Sequence, residues 1–182
     1  VRRRLHEAAQ DADLILVEGV MGLFDGNLNA ADLAQRLDLP VLAVIDASAM
    51  AGTFGALAYG LQHYEPGLRW AGMLANRVAT QHHADLLQKG LRDPHLWLGA
   101  MPGVQLGEAA PKARTAALLP ERHLGLIAAH ELSDALQRLD AAADALAQTP
   151  LGQRPWTAEA GQPSWQDWCV DFAQPDAAND QP

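Results

Sequence analysis

The stretch "LILVEGVMGLFDG", residues 14–26, decides the fold class. Residues 14–17 are all apolar, which is typical of a parallel strand that is covered on both faces. Glu18 follows this run directly, Asp25 comes seven residues later, and glycines stand at positions 19, 22 and 26. We therefore predict a buried strand that ends in a glycine-rich loop carrying two carboxylates.

Further apolar runs alternate with helical patterns along the chain. The predicted strands cover residues 14–17, 41–45, 70–75, 96–100 and 124–128. Helical spacing covers residues 32–39, 49–64 and 83–91, and Ser133 is the expected N-cap of a further helix. We expect the glycines at 52, 55 and 60 to let their helix pack closely on a sheet. This order predicts an α/β fold with a doubly wound, mostly parallel sheet.

Polar residues stand where three of the predicted strands end. These residues are Glu18, Asp46 and Asn76. Ligands of doubly wound sheets bind beyond the carboxyl ends of the strands, so the pattern predicts a ligand site at this edge.

The pair of acids in the glycine-rich loop has two interpretations. Glu18 and Asp25 offer the hard oxygen ligands that a magnesium–nucleotide site needs. Alternatively, the loop is a tight turn in which Glu18 caps a helix or forms an ion pair. Composition alone favours neither interpretation.

Charge and composition exclude several classes of partner. The net charge of −9 and the pI near 5.1 argue against nucleic acid as a general partner. The single cysteine, Cys169, fits a reducing cytosol, and no apolar run approaches the roughly 18 residues of a membrane span. We therefore expect a cytoplasmic protein without a membrane partner. His82 and His83 lack the spacing of a metal site, so we expect them to be solvated or capping residues.

Two motifs carry a family resemblance. "VEGVMGLFDG" (residues 17–26) and "LPERHLGL" (residues 119–126) resemble the cobyrinate a,c-diamide synthase family, including its hydrogenobyrinate form. The resemblance continues in the family's order through "ADLAQRLDLPVLAVIDASAMAGT" (31–53) and "GMLANRV" (72–78). It implies a P-loop NTPase-like fold of the dethiobiotin-synthetase type. It also implies an enzyme that uses ATP and Mg²⁺ to activate acetate groups of a corrin as acyl phosphates, which glutamine-derived ammonia converts to amides.

The resemblance also implies roles for individual residues. Glu18 is similar to the magnesium-binding acid of the family, and Asp25 to a second acid that acts on the metal or in acyl-phosphate formation. Asn76 is similar to the asparagine that reads the adenine ring, although the residues alone favour a turn after a strand. Arg77 either lies near the nucleotide or caps a helix.

Other parts of the family's pattern are not found in the sequence. Neither Lys89 nor Lys112 stands in a G-K-[ST] motif, so we expect the chain to lack the N-terminal P-loop unit. We expect residues 1–148 to be a partial ATP-dependent synthetase domain, inactive by itself. Residues 149–182 are expected to be an irregular linker toward an absent glutamine amidotransferase domain. The sequence leaves open the role of Glu121 and Arg122 and the oligomeric state, including a homodimer.

Three alternative functions stay open at this stage. The first is another tetrapyrrole amidase, such as cobyric acid synthase or a nickel-sirohydrochlorin diamide synthase. The second is dethiobiotin synthetase, which the tail toward a further domain disfavours. The third is a non-catalytic partition-type ATPase, which the paired acids Glu18 and Asp25 disfavour.

Overall fold

The computed structural model describes residues 2–12, 14–105, 115–116, 121–122, 125–126 and 135–155. The predicted N-cap Ser133, the single cysteine Cys169 and the tail from residue 156 lie outside this part. The helices in it are α1 (Arg2–Ala9), α2 (Ala30–Arg36), α3 (Gly52–Tyr64), α4 (Gln81–Gly90) and α5 (Ala135–Ala147). The strands are β1 (Val41–Asp46), β2 (Trp70–Val78), β3 (Trp97–Pro102), β4 (Val104–Gln105), β5 (Thr115–Ala116), β6 (Glu121–Arg122) and β7 (Gly125–Leu126).

Three parallel strands form the main sheet in the order β1-β2-β3. Each parallel pair is joined by a helical crossover, α3 between β1 and β2 and α4 between β2 and β3. The carboxyl ends of β1 and β2 therefore share one edge, where Asp46 lies opposite Asn76. The α/β class and the parallel sheet predicted from the sequence are confirmed.

Strands β2 and β3 are covered on both faces of the sheet, and β1 on one. On one face Phe54 of α3 and Leu87 of α4 pack with Met73 of β2, and all three side chains are fully buried. On the other face Leu74 and Leu98 pack with residues at and beyond the end of α5. Cover on both faces explains why β2 and β3 are nearly continuous in apolar residues.

The predicted strand at residues 14–17 is wrong, because this segment forms no strand. A strand needs a neighbour with which to exchange backbone hydrogen bonds. In the described part β1 pairs only with β2, and Leu42 and Val44 of β1 are exposed. The side chain of Leu16 is 78% exposed, so the segment lies away from the core.

The predicted parallel strand at residues 124–128 is wrong for the two residues that the structure describes. Gly125–Leu126 pairs antiparallel with Glu121–Arg122, in a two-stranded sheet apart from the main one. Segments this close in sequence cannot accommodate a parallel crossover, which takes a dozen or more residues. The other residues of this prediction lie outside the described part.

Element boundaries differ from the predicted ones by a few residues. β2 continues to Val78, so Asn76 and Arg77 lie inside this strand and not in a turn after it. β3 begins at Trp97 because Pro94–Leu96 forms a 3₁₀ turn. α2 begins earlier than predicted because Asn29 caps it.

Of the three glycines of α3, one contacts a neighbouring helix and none contacts the sheet. A Cβ atom added at Gly55 would overlap the carbonyl group of Gly90 at the end of α4. Atoms added at Gly52 and Gly60 would meet nothing within 4 Å. The expected close packing on the sheet is therefore wrong, and only Gly55 has a close neighbour.

The residues that follow α5 pack on the sheet. The backbone N–H of Leu151 donates to the carbonyl oxygen of Leu98 at 3.0 Å, and Thr149 is buried. The predicted domain boundary at residue 148 stays a prediction, but the chain up to Leu151 contacts β3. No helix in the described ranges is both long and apolar enough to cross a membrane.

Candidate functional site at the carboxyl edge of the sheet

A charged and polar group occupies the carboxyl edge of β1 and β2. Asp46 ends β1, and its Oδ2 atom lies 3.0 Å from Nη1 of Arg77 on β2. Its other oxygen, Oδ1, accepts a hydrogen bond from the backbone N–H of Ser48 at 3.0 Å. Both carboxylate oxygens of Asp46 are therefore engaged by groups that favour the charged form.

The pKa of Asp46 reflects this arrangement. Partial burial acts to raise the pKa, but hydrogen bonds from Ser48 and the charge and hydrogen bond of Arg77 outweigh it. The pKa is therefore held below the ordinary value of 3.8, and Asp46 is ionised at neutral pH.

Asn76 lies directly beside this ion pair. Its Oδ1 atom accepts a hydrogen bond from the backbone N–H of Arg77 at 2.9 Å, and its carbonyl oxygen accepts one from Ala47 at 2.9 Å. The first of these bonds directs the side-chain amide, and the second is made by the backbone. In the described part of the chain, the Nδ2 group of Asn76 makes no hydrogen bond. That group keeps two donors for a ligand.

Arg77 has an unusual backbone conformation. Its φ is 62°, in the left-handed region that residues with a Cβ atom seldom adopt. Such a conformation persists where the surroundings compensate its cost, and it is found often at ligand sites. Here β2 pairs with a neighbour on each side, and the guanidinium is held by Asp46.

Two hydrogen bonds between Gly22 and Asp25 form a turn in the glycine-rich loop. The Oδ2 atom of Asp25 accepts the backbone N–H of Gly22 at 3.1 Å, and the N–H of Asp25 donates to the carbonyl oxygen of Gly22 at 3.0 Å. A Cβ atom at position 22 would overlap the carboxylate. The turn at Gly26, with φ of 95°, leads toward Asn29, whose side chain caps α2 together with Asp32.

Glu18 is exposed and lies outside regular structure. Among the described residues, no hydrogen bond joins Glu18 to Asp25. The described part also contains no group of three or more His, Cys, Asp or Glu side chains that could hold a metal ion. Both acids face solvent, and Oδ1 of Asp25 has no bond to a described group. Two accessible carboxylates fit Mg²⁺, which takes one or two protein carboxylates and completes its shell with water and phosphate oxygens.

His83 has a structural role at the same edge. The backbone N–H of Ala79 donates to its Nδ1 atom at 3.3 Å, so the proton of the neutral ring lies on Nε2 and is donated to Met50 at 2.7 Å. This ring joins the start of α4 to the loop after β1. It agrees with the capping role expected from the sequence.

The described part of the chain therefore defines an α/β protein with an acid, an amide and a guanidinium at the carboxyl edge of a parallel sheet, where such folds bind ligands. Asp46, Asn76 and Arg77 are all recognisable in the sequence as candidate residues, but no sequence signal indicates the pairing of Asp46 with Arg77.

The chain is similar over most of its length to bacterial a,c-diamide synthases. The hydrogenobyrinate a,c-diamide synthase of Stutzerimonas stutzeri is 55% identical over 154 residues, 85% of this chain and 34% of that relative. The protein of the same name from Pseudomonas aeruginosa is 53% identical over 166 residues, 90% of this chain and 36% of that relative. The cobyrinate a,c-diamide synthase of Herminiimonas arsenicoxydans is 43% identical over 143 residues, 79% of this chain and 30% of that relative.

This chain is thus homologous to the hydrogenobyrinate and cobyrinate a,c-diamide synthases, and the resemblance drawn from the two motifs is confirmed. It spans about a third of the length of the curated relatives that it matches. No family model matches the chain, and no solved structure matches it significantly.

Proposed function

We propose that the chain is the central part of an ATP- and glutamine-dependent ligase of cobalamin biosynthesis. The ligase amidates the a and c acetate carboxylates of cobyrinate or hydrogenobyrinate. The observation that carries this proposal is the 53–55% identity to relatives named for the a,c-diamide reaction, over 85–90% of this chain. The complete ligase requires the rest of the polypeptide.

The reaction makes an amide from a carboxylate. An acetate oxygen of the corrin attacks the γ-phosphorus of ATP, which gives an acyl phosphate and ADP. Ammonia released from glutamine then attacks the acyl carbon, and inorganic phosphate leaves. Mg²⁺ supplies charge neutralisation for the phosphate oxygens during the first transfer.

The loop between residue 17 and α2 supplies the acids for this step. Glu18 and Oδ1 of Asp25 hold the metal, and Gly22 fixes the second carboxylate by its backbone N–H. Asn76 at the neighbouring edge binds the adenine ring through its amide, and Arg77 supports that side chain.

Two other functions are less well supported. Another corrin or tetrapyrrole amidase shares the chemistry, but the relatives compared above carry the a,c-diamide name. A partition-type ATPase binds nucleotide without amidating a substrate. The pair of exposed acids in one loop favours a ligase over such an ATPase.

The test uses the complete protein that contains this chain. It is incubated with glutamine, ATP and Mg²⁺ and either cobyrinate or hydrogenobyrinate, and diamide formation is followed by mass spectrometry. We expect Glu18→Gln and Asp25→Asn each to lower turnover by about 100-fold or more. Asp85→Asn, which changes a partly exposed acid bonded to Gln81 on α4, is the control and leaves turnover unchanged.

Each outcome of this assay has a distinct meaning. A wild-type protein that forms diamide from neither corrin overturns the proposed function. Wild-type turnover that survives both substitutions keeps the function but removes the assignment of Glu18 and Asp25. Loss of turnover in the control variant as well attributes the effect to folding, which circular dichroism of the variants then confirms or contradicts.

A further inference from the structure

Two loops meet at the carboxyl edge of the sheet, and the half-buried ring of His83 joins them. The first loop, residues 47–51, connects β1 to α3, and the second, residues 79–80, connects β2 to α4. The Nε2 atom of His83 lies 2.7 Å from the carbonyl oxygen of Met50 in the first loop. In the second loop, the backbone N–H of Ala79 donates to Nδ1 of the same ring at 3.3 Å. One side chain therefore holds both loops.

The first loop carries this contact on to the candidate site. The N–H of Met50 donates to the carbonyl oxygen of Ala47 at 3.0 Å, and the N–H of Ala47 donates to the carbonyl oxygen of Asn76 at 2.9 Å. Ala47 is fully buried, and Ser48 beside it donates its N–H to Asp46. A continuous series of hydrogen bonds thus connects the ring of His83 with Asn76 by way of residues 47–50.

We propose that His83, in its neutral form, is a positioning residue that fixes these two loops to each other and thereby sets the affinity of the carboxyl edge for nucleotide. Ligands of doubly wound sheets bind in the crevice beyond the strand ends, so the loops that follow β1 and β2 form its walls. The inference rests on the proposed function, because it requires a nucleotide beside Asn76. His83 acts through loop 47–51 and is assigned no contact with the nucleotide.

The two hydrogen bonds of the ring require one tautomer of neutral histidine. Nδ1 has to be unprotonated to accept from Ala79, and Nε2 has to carry the proton to donate to Met50. A second proton goes to Nδ1, so that two donors face each other at Ala79 and this bond is lost. Histidine is the side chain that changes charge between about pH 5 and about pH 8, so we expect nucleotide affinity to fall across this range.

No charged side chain forms a hydrogen bond or an ion pair with His83 in the part of the chain that the structure describes. The charged and titratable groups on the surrounding elements are Asp46 on β1, Arg77 on β2, Tyr59, His63 and Tyr64 on α3, and His82, Asp85 and Lys89 on α4. Asp46 is paired with Arg77, and Asp85 is bonded to Gln81. The two backbone groups bonded to the ring therefore decide which charge state fits this position.

The experiment measures the ATP dissociation constant of the complete protein by calorimetry near pH 8 and again near pH 5.5, a range of about 2.5 units that spans histidine titration. We expect His83→Gln to bind ATP about fivefold more weakly than wild type at the higher pH, the effect of one lost hydrogen bond. Glutamine still donates to Met50 but places no acceptor at the position of Nδ1. At the lower pH the two proteins become similar, because protonated His83 has lost the same bond. ATP also takes up a proton in this range, so each variant is compared with wild type at the same pH.

Two neighbouring residues provide matched controls. His82 is exposed and has no hydrogen bond to a described group, so His82→Gln keeps the affinity of wild type at both pH values. The hydroxyl of Thr80 accepts the backbone N–H of His83 at 3.1 Å and caps α4. Thr80→Ala removes this cap but leaves both bonds of the ring, so the pH dependence of wild type remains.

The outcomes separate the inference from the function on which it rests. If wild type binds ATP and His83→Gln matches it at both pH values, the positioning role is wrong and the nucleotide site stands. If His83→Gln is weaker by the same factor at both pH values, the charge state of the ring does not control binding and the inference is also wrong. The same holds if His82→Gln or Thr80→Ala removes the pH dependence as fully as His83→Gln. If wild type binds no ATP, the nucleotide assignment and the inference both fail.

Discussion

Gly22 and Asp25 illustrate how a single residue sets the geometry of the candidate site. The carboxylate of Asp25 closes on the backbone N–H of Gly22, and there is no room there for a Cβ atom. The glycine therefore determines where one of the two proposed metal ligands lies.

Replacing Gly22 by alanine tests this relation. Because the new Cβ atom displaces the Asp25 carboxylate, we expect Gly22→Ala in the complete protein to raise the Mg²⁺ concentration for half-maximal activity by about tenfold. Gly60→Ala is the control, since its Cβ atom meets nothing within 4 Å and lies on α3, outside the loop. An unchanged Mg²⁺ dependence in Gly22→Ala contradicts the placement of Asp25 on the metal.

The lowered pKa of Asp46 leads to a prediction for acid stability. Because the pKa is lower in the folded state than the unfolded value of 3.8, the folded protein binds this proton less readily. The contribution of the charged group to stability is full above the unfolded pKa and is lost as the pH falls through the folded pKa.

We therefore expect wild type to be more stable than Asp46→Asn near neutral pH, with a difference that shrinks as the pH falls below the unfolded pKa of 3.8. Urea unfolding of both proteins at a series of pH values measures this difference. A difference that stays constant or grows on acidification contradicts the pairing of the charged carboxylate with Arg77 and Ser48.

The sequence predicted the positions of Asp46 and Asn76 better than their partners, whereas Glu18 does not lie at the end of a strand. Strand ends are visible as a change from apolar to polar residues, so the sequence predicts Asp46 and Asn76 at the same edge, where the structure has them. The ion pair of Asp46 with Arg77 joins residues 31 positions apart, and the positive φ at residue 77 is indicated by no local pattern for an arginine. The cap of α2 by Asn29 and Asp32 is indicated by the sequence, because a capping residue is followed three positions later by an acid.

At the scale of elements, α3 and α4 show that identical residues in one helix can have different functions. Gly55 lies against Gly90 of α4, whereas Gly60 has open space where a side chain would be. The sequence predicted both helices but not which glycine makes the contact, because contact depends on how the two helices cross.

A matched pair of substitutions in α3 tests this contact. Gly55→Ala forces the two helices apart, and we expect it to lower the free energy of unfolding by about 1–3 kcal/mol. Gly60→Ala puts a better helix former at an open position and is expected to raise it by up to about 1 kcal/mol. Thermal or urea unfolding of the chain measures both values. Equal effects of the two substitutions contradict the close approach of α3 to α4.

Strand prediction succeeded where the strand has neighbours and failed where it does not. The apolar runs that became β1, β2 and β3 pair with one another around a shared core. Residues 14–17 have an equally apolar sequence but pair with no strand in the described part of the chain. Composition thus indicates the tendency to form a strand, and the ladder of hydrogen bonds depends on a partner that the local sequence does not specify.

At the scale of the whole molecule, the second face of the sheet depends on the segment that follows α5. Leu151 is only 8% exposed and packs with Leu74 and Leu98, while its N–H donates to Leu98. These contacts are formed by residues that the sequence analysis assigned to a linker. The side chain of Leu151 is therefore the most direct test of whether this segment belongs to the folded unit.

We expect Leu151→Ala to lower the free energy of unfolding of the chain by about 2–4 kcal/mol, because it leaves a cavity between Leu74 and Leu98. Leu136→Ala on α5 is the control; its side chain is 75% exposed, and we expect a change within about 0.5 kcal/mol. Hydrogen exchange at the N–H of Leu151 gives a second measurement, since a bond to Leu98 protects this amide as strongly as the strand itself. Rapid exchange at this amide, together with a small effect of Leu151→Ala, means that residues 149–151 belong to the linker and supports a boundary at residue 148. Slow exchange with a large effect instead extends the folded unit at least to Leu151, so any separate domain of the complete protein has to begin after that residue.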